Sequence, residues 1–191
     1  MSRILRLAGP LALLSFVLAA GLAGAALDGY SHREYPLAYL GARGVPGACW
    51  FNVFAFAIPG LLVFAALQSL RETLPARARW QARIGAQIAA LSALAFAAMG
   101  LFSLDPETAA SDANGLHATA WTLWWIAFAA GGSLLALGGM GRRVVVATAI
   151  ATSVVIALTT PIWSGVMSAY APRLAFLCWL VWSVAIARFR D

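Results

Sequence analysis

The sequence predicts an all-α membrane protein, a bundle of six transmembrane helices with an ordered loop on its outer face. Three observations carry that prediction. Of the 191 residues, 62% are apolar and only 10% are charged, whereas soluble domains are nearer half and a quarter. The apolar residues fall into six runs, each close to the roughly 20 residues that a hydrocarbon core requires. Apart from Arg173 at the start of the sixth run, the charges sit in the short segments between or beside those runs. A mean hydropathy of +0.83 excludes an ordinary soluble enzyme and a disordered chain, and two cysteines are too few for a disulfide scaffold. No intervening segment can hold a second folded domain, so residues 1–191 read as one six-helix domain.

The spans follow in order. The first, about residues 7–27, comes after Arg3 and Arg6 and ends in Ala23–Gly24–Ala25–Ala26. That ending resembles a signal cleavage site, but the run exceeds the 7–15 residues of a signal core, so it reads as a retained span. The second, about 50–70, carries Pro59 midway; the missing N–H frees a carbonyl and predicts a kink. The third, about 84–104, sets Ala86 and Ala90 on one row and Ala89, Ala93 and Ala97 on another. Small residues at this spacing let backbones approach closely in lipid. The fourth, about 117–139, offers Gly132 and Ala136 in the same way, and the fifth covers about 144–164. The sixth, about 171–187, is the shortest, with Arg188 and Arg190 placed to reach out of its end.

The loops orient the bundle. One side holds Arg3, Arg6, Arg71, Arg77, Arg79, Arg83, Arg142, Arg143, Arg188 and Arg190 against Glu72 and Asp191. The other holds Arg33, Arg43 and Arg173 against Asp28, Glu34, Asp105, Glu107 and Asp112. The positive-inside rule then puts both termini in the cytoplasm. Arginine without lysine, in an alanine-rich chain, points to a GC-rich bacterial genome; the expected location is the bacterial cytoplasmic (inner) membrane. The net charge of +6 does not indicate nucleic acid, because the cations form no continuous soluble face. Thr73–Arg83, with Trp80, reads instead as an interfacial hairpin attracted to anionic lipid.

Inside the six runs the polar residues are serine, threonine and glutamine, and no ionisable side chain lies deep in the membrane. Ion pathways and proton relays need such groups, so an ion-coupled transporter is disfavoured. His32 and His117 both lie at the outer surface, which leaves no axial pair for a haem at the bilayer centre. No cofactor and no metal are expected. Cys49 and Cys178 differ in depth by about 10 Å at the helical rise and read as two thiols. Trp50, Trp121, Trp124, Trp125 and Trp163 fall near outer span ends, where an aromatic belt is favoured. Trp121, Trp125 and Phe128 also share a helical face with His117, which would suit the wall of a ligand pocket.

The polar residues gather in two outer loops. The first contains Tyr30-Ser-His32, Pro36-Leu-Ala-Tyr-Leu-Gly41 and Pro46-Gly47, ahead of Phe51-Asn52. Its glycines and prolines predict turns of fixed shape, and Tyr30, Tyr35 and Tyr39 with the Leu37–Leu40 stretch predict that the loop lies down on the bundle as a lid. The second contains Phe102-Ser-Leu-Asp105-Pro106, with His117 beyond it, and Pro172-Arg173 opens the sixth run. Asp105 reads as the end of the third span, and Asn114 or Gly115 as the cap of the fourth. Taken together these motifs, over essentially the whole chain, resemble the bacterial membrane family called domain-of-unknown-function family 998. Ser103-Leu104 stands where that family tends to have Phe-Pro, and Pro172 where Gln is common. The resemblance implies the same six-span layout and one outer-face constellation of Asp105, His117 and Arg173 with Asn52 beneath it.

Three chemistries fit that constellation. In the first, Arg173 neutralises Asp105 in a structural network and His117 donates to a carbonyl. In the second, Arg173 and His117, with Asp105, His32, Asn52 and Trp121 around them, bind a lipid-like or other amphipathic molecule. In the third, an Asp105-oriented His117 acts as a general base, with Ser31, Ser111 or water as nucleophile; a metal would require the lid to bring His32, Glu34, Asp105 and His117 together. The expected partners are membrane lipid and a small amphipathic ligand. The rival functions are an outer-leaflet enzyme and an accessory subunit of a membrane complex.

Overall fold

The computed structural model describes residues 3–75, 78–160 and 162–188. Arg77, Arg190 and Asp191, which enter the charge count above, lie outside the described residues, as does part of the Thr73–Arg83 segment. Six helices are long and apolar enough to cross a membrane. They are α1 (Arg3–Ala26), α2 (Ala48–Thr73), α3 (Trp80–Met99), α4 (Asp112–Leu137), α5 (Arg142–Thr159) and α6 (Val166–Arg188). Among the described residues there is no strand. Each helix packs against its neighbours in sequence, and α6 returns to α1. The even number of spans leaves the start of α1 and the end of α6 on one face; the opposite one is called the distal face below.

Large apolar side chains point outward as well as inward. Leu7, Leu11, Leu14, Leu18 and Leu22 form an exposed stripe on α1. In water such a stripe would be a defect, but lipid is as apolar as leucine. What holds the helices together is close packing, and the small residues show how. The α3 alanines Ala86, Ala89, Ala90, Ala93 and Ala97 are all buried. At the α3–α4 crossing the backbones nearly touch: a Cβ on Gly131 would stand 2.5 Å from the Ala89 nitrogen, and one on Gly85 2.7 Å from the Leu135 nitrogen. Gly132 instead faces α5, where Thr152 occupies the space a Cβ would need.

Aromatic rings fill the middle. Phe96 of α3, Trp124 of α4, and Phe176 and Trp179 of α6 pack with centroids 4.7–6.0 Å apart, and Phe16 of α1 and Phe56 of α2 close the cluster. Trp124 therefore belongs to the core, fully buried, and not to an interfacial belt; Trp50 and Trp163 are exposed as a belt requires.

Several boundaries differ from the sequence reading. The third span ends at Met99, not near 104; a turn begins at Gly100, where an added Cβ would stand 2.6 Å from the Asn52 carbonyl oxygen. The fourth begins at Asp112, and its cap is Ser111, whose hydroxyl accepts the Asn114 N–H. The fifth ends at Thr159 and the sixth begins at Val166, just after Gly165 at φ +59°. Directly ahead of Pro59, where the sequence predicts a kink, Val53–Ala57 form a π-helical turn. There the Ser15 hydroxyl of α1 donates to the Phe54 carbonyl at 2.6 Å, as expected of a freed backbone group in lipid.

The glycine contacts give a test. Gly131→Ala should destabilise the bundle by about 1–3 kcal/mol, the usual cost of overpacking, despite the roughly 1 kcal/mol that alanine gains in a helix. Gly21→Ala, where a Cβ meets no atom within 4 Å, should leave stability unchanged or raise it. Thermal unfolding of the two variants in detergent distinguishes them; equal midpoints would refute the close approach.

Candidate ligand-binding site on the distal face

Two loops cover the distal face. The longer, between α1 and α2, folds Leu37–Gly41 into a 3-10 turn, with Leu37 and Leu40 buried against the bundle. The shorter, between α3 and α4, crosses beside it. Their junction is the segment Phe102–Asp105, tied at four successive residues. The Phe102 carbonyl accepts His117 Nδ1–H at 2.8 Å. The Ser103 hydroxyl accepts Asn52 Nδ2–H at 2.9 Å, and the same amide nitrogen donates to the Gly41 carbonyl at 2.8 Å. The Leu104 carbonyl accepts the Arg43 backbone N–H at 2.8 Å, and the Arg43 guanidinium reaches Asp105 Oδ2 at 3.4 Å.

Asp105 also shapes its own loop. Its Oδ1 accepts the Glu107 and Thr108 backbone N–H groups, both at 3.1 Å. Its backbone exchanges two hydrogen bonds with the Asn114 side chain, whose nitrogen also donates to the Thr108 carbonyl. Asn114 is therefore a loop clamp and not the helix cap. The signal for it in sequence is only an asparagine nine positions beyond an aspartate.

Arg173 lies elsewhere. The constellation expected of Asp105, His117 and Arg173 does not form: among the described residues no hydrogen bond or ion pair joins any two of them. Arg43 takes the carboxylate, while Arg173 engages the first loop. One Nη2 hydrogen bonds the Tyr30 hydroxyl and the other the Tyr35 carbonyl, both at 2.7 Å, and Nη1 donates to the Ala169 carbonyl one turn back. Tyr30, Tyr35 and Tyr39 stack almost parallel above it, with centroids 5.2–6.5 Å apart. Sequence reading placed these tyrosines in the lid without recognising two of them as the arginine's partners.

The remaining expected residues divide between the two halves. Asn52 and His117 belong to the Phe102–Asp105 seam, and His117 also packs edge-on against Phe56 at 6.4 Å. Trp121, one turn beyond His117, packs on Trp124 and Phe176 at 5.1 and 5.3 Å. His32 joins the Arg173 half, its ring edge-on to Tyr30 at 5.0 Å and laid over Gly24, where any Cβ would collide with it. Among the described residues no three His, Cys, Asp or Glu side chains converge as a metal would need. Cys49 and Cys178 are free thiols.

Between α1, α6 and the first loop lies a crevice of about 170 Å³, bounded by Phe16, Val17, Ala20 and Gly21 on one side, Arg173 and Leu177 on the other, and His32 and Leu37 above. It is apolar except at its distal end. There burial, then the nearby Arg173 charge, lower the His32 pKa from its ordinary 6.5, so His32 is neutral near pH 7. Burial pushes the Tyr30 phenol up against the opposing pull of Arg173, so Tyr30 stays protonated.

Two outcomes follow. Asn52→Ala leaves the Gly41 carbonyl without its donor and should cost about 1–3 kcal/mol, read as a lower thermal midpoint with faster hydrogen exchange in both distal loops. Because the folded protein binds a proton at His32 less readily than the unfolded chain does, this contribution to stability is complete above pH 6.5 and is lost as pH falls through the lowered value. His32→Gln should flatten that part of a stability–pH profile; an unchanged slope would show that His32 does not titrate in this way. In comparisons of the chain with family models, with curated proteins and with solved structures, no match was found, so the chemistry of this face rests on its own geometry.

Proposed function

We propose that this chain is an integral protein of the bacterial inner membrane, with cytoplasmic termini, that binds a lipid-like amphipath at its outer face. The distal face is then the outer one, as the arginine asymmetry of the loops requires. The observation that carries the reading is the crevice between α1, α6 and the first loop, apolar along its walls with Arg173 and His32 at its distal end. An apolar slot ending in a few convergent polar groups is how proteins hold amphipathic ligands. Val17 and Gly21 are exposed on the lipid-facing side of α1, so the slot adjoins the bilayer from which such a molecule would come.

An enzyme built on Asp105 and His117 finds no support in the geometry. A general base needs an orienting carboxylate and an open site; His117 donates to the Phe102 carbonyl, and Asp105 is held by Arg43 and its own loop. Native mass spectrometry of the detergent-purified protein tests the binding reading. A discrete adduct should accompany the wild type and be lost from Arg173→Ala. No adduct in either, with the variant merely less stable, would make Arg173 a lid clamp and nothing more.

A further inference from the structure

Arg173 is only 8% exposed, and among the described residues no carboxylate comes within ion-pair distance of it. Asp105 is committed to Arg43, while Asp28 and Glu34 are exposed at the surface. The three acceptors that Arg173 does have are neutral: two backbone carbonyls and the Tyr30 phenol. They satisfy geometry without supplying charge. A guanidinium carries five N–H groups; three are used, and the buried Nε has no acceptor. A buried cation without a counter-charge is strongly disfavoured, which makes Arg173 a candidate for pairing with an anion from outside the chain.

The crevice bounds what could supply the missing charge. Its 170 Å³ falls below the roughly 300–1,000 Å³ that encloses drug-sized ligands, and equals the liquid volume of about six waters. That is room for one acid group and the first part of one chain. The α1 wall from Gly21 to Phe16 is about 7 Å long at the helical rise, and it is wholly apolar.

We infer that the crevice takes an anionic single-chain amphipath, its carboxylate or phosphate monoester paired with Arg173 beneath His32 and its chain running along the α1–α6 seam past Gly21 and Val17. The inference rests on the amphipath reading above and adds the sign of the headgroup and the number of chains. Arginine suits both acid groups, which it can meet with more than one N–H. His32 adds a ring nitrogen at the same end, and Leu177 flanks the chain.

The test adds defined probes to the purified full chain and reads one-to-one adducts by native mass spectrometry. Palmitate and a single-chain lysophosphatidate should bind. Neutral palmitoylglycerol, zwitterionic lysophosphatidylcholine, two-chain phosphatidylglycerol and inorganic phosphate should each bind at least about tenfold more weakly, the scale of one charge-assisted hydrogen bond. Arg173→Gln should lose the preference for the acids, and Arg173→Lys should keep part of it. Because Arg173 also holds the lid, Gly21→Leu provides the independent variant. It keeps every Arg173 contact, adds bulk at the crevice edge where a Cβ meets nothing within 4 Å, and should weaken palmitate binding about tenfold with the thermal midpoint retained.

Equal binding of palmitoylglycerol or lysophosphatidylcholine overturns the anionic headgroup. Equal binding of phosphatidylglycerol overturns the single chain, and phosphate matching palmitate reduces the site to one for a free anion. Palmitate binding indifferent to Gly21→Leu removes it from this crevice. In the first two cases, if Gly21→Leu still weakens the bound lipid, the broader amphipath reading survives; if no amphipath binds, both fall together.

Discussion

A guanidinium held about two turns inside an apolar helix dictates the form of the distal face. Arg173 cannot reach bulk water from its buried position, so the chain must bring acceptors to it. The first loop does this: Tyr30 and Tyr35 descend onto Nη2, and that contact fixes the loop's entry and its middle. The far end of the same loop is fixed by Gly41 and Arg43, which are bound to Asn52 and to Leu104. A loop of this length has no reason to be ordered on propensity alone. It is ordered because both ends satisfy polar groups that would otherwise be stranded at the edge of the hydrocarbon.

The fold was legible because the bilayer leaves few solutions. A run of about twenty apolar residues must close its own backbone hydrogen bonds, so counting such runs amounts to counting helices. The ends were less legible for a reason visible at residues 100–104. Gly-Leu-Phe-Ser-Leu is as apolar as the helix before it, yet Phe102–Leu104 leave the helix to bind His117, Asn52 and Arg43. Hydropathy registers their burial but not their partners. Likewise the alanine rows of α3 were readable from their spacing, whereas Gly85 and Gly131, where the α3 and α4 backbones nearly touch, share no motif in sequence and meet only through the register of the crossing.

The site was legible as a list of residues and not as a set of pairs. With several outer cations and carboxylates, sequence offers no rule for matching them. Asp105 lies near Arg43 because the Arg43 backbone already binds Leu104, one residue before the aspartate; a short tether brought the pair together, and Arg173 was left without its expected partner. The tryptophans show a similar limit. Trp121 and Trp124, like Trp50, fall within about two turns of a span end in sequence, but α4 turns them toward Phe176, into the aromatic core. Depth can be read from position along a span; the direction a side chain faces depends on neighbouring helices.

These contacts divide the distal face into two unlike halves. Along Phe102–Asp105 the seam side chains find protein partners, and the result is a scaffold whose polar groups cancel. Around Arg173 a net charge and an N–H group remain over, beside a slot that is open along α1. The two halves also differ in how far protein covers them. α3, whose end leads into the seam, is the most embedded helix, with 61% of its apolar window buried, and α1, which walls the slot, the least, with 22%. Gly21 and Gly24 leave the distal turns of α1 without side chains at those positions, and the His32 ring lies over Gly24. On the proposed binding reading, the uncompensated guanidinium therefore lies beside the helix face least covered by protein, whereas the Asp105 carboxylate is already paired with Arg43.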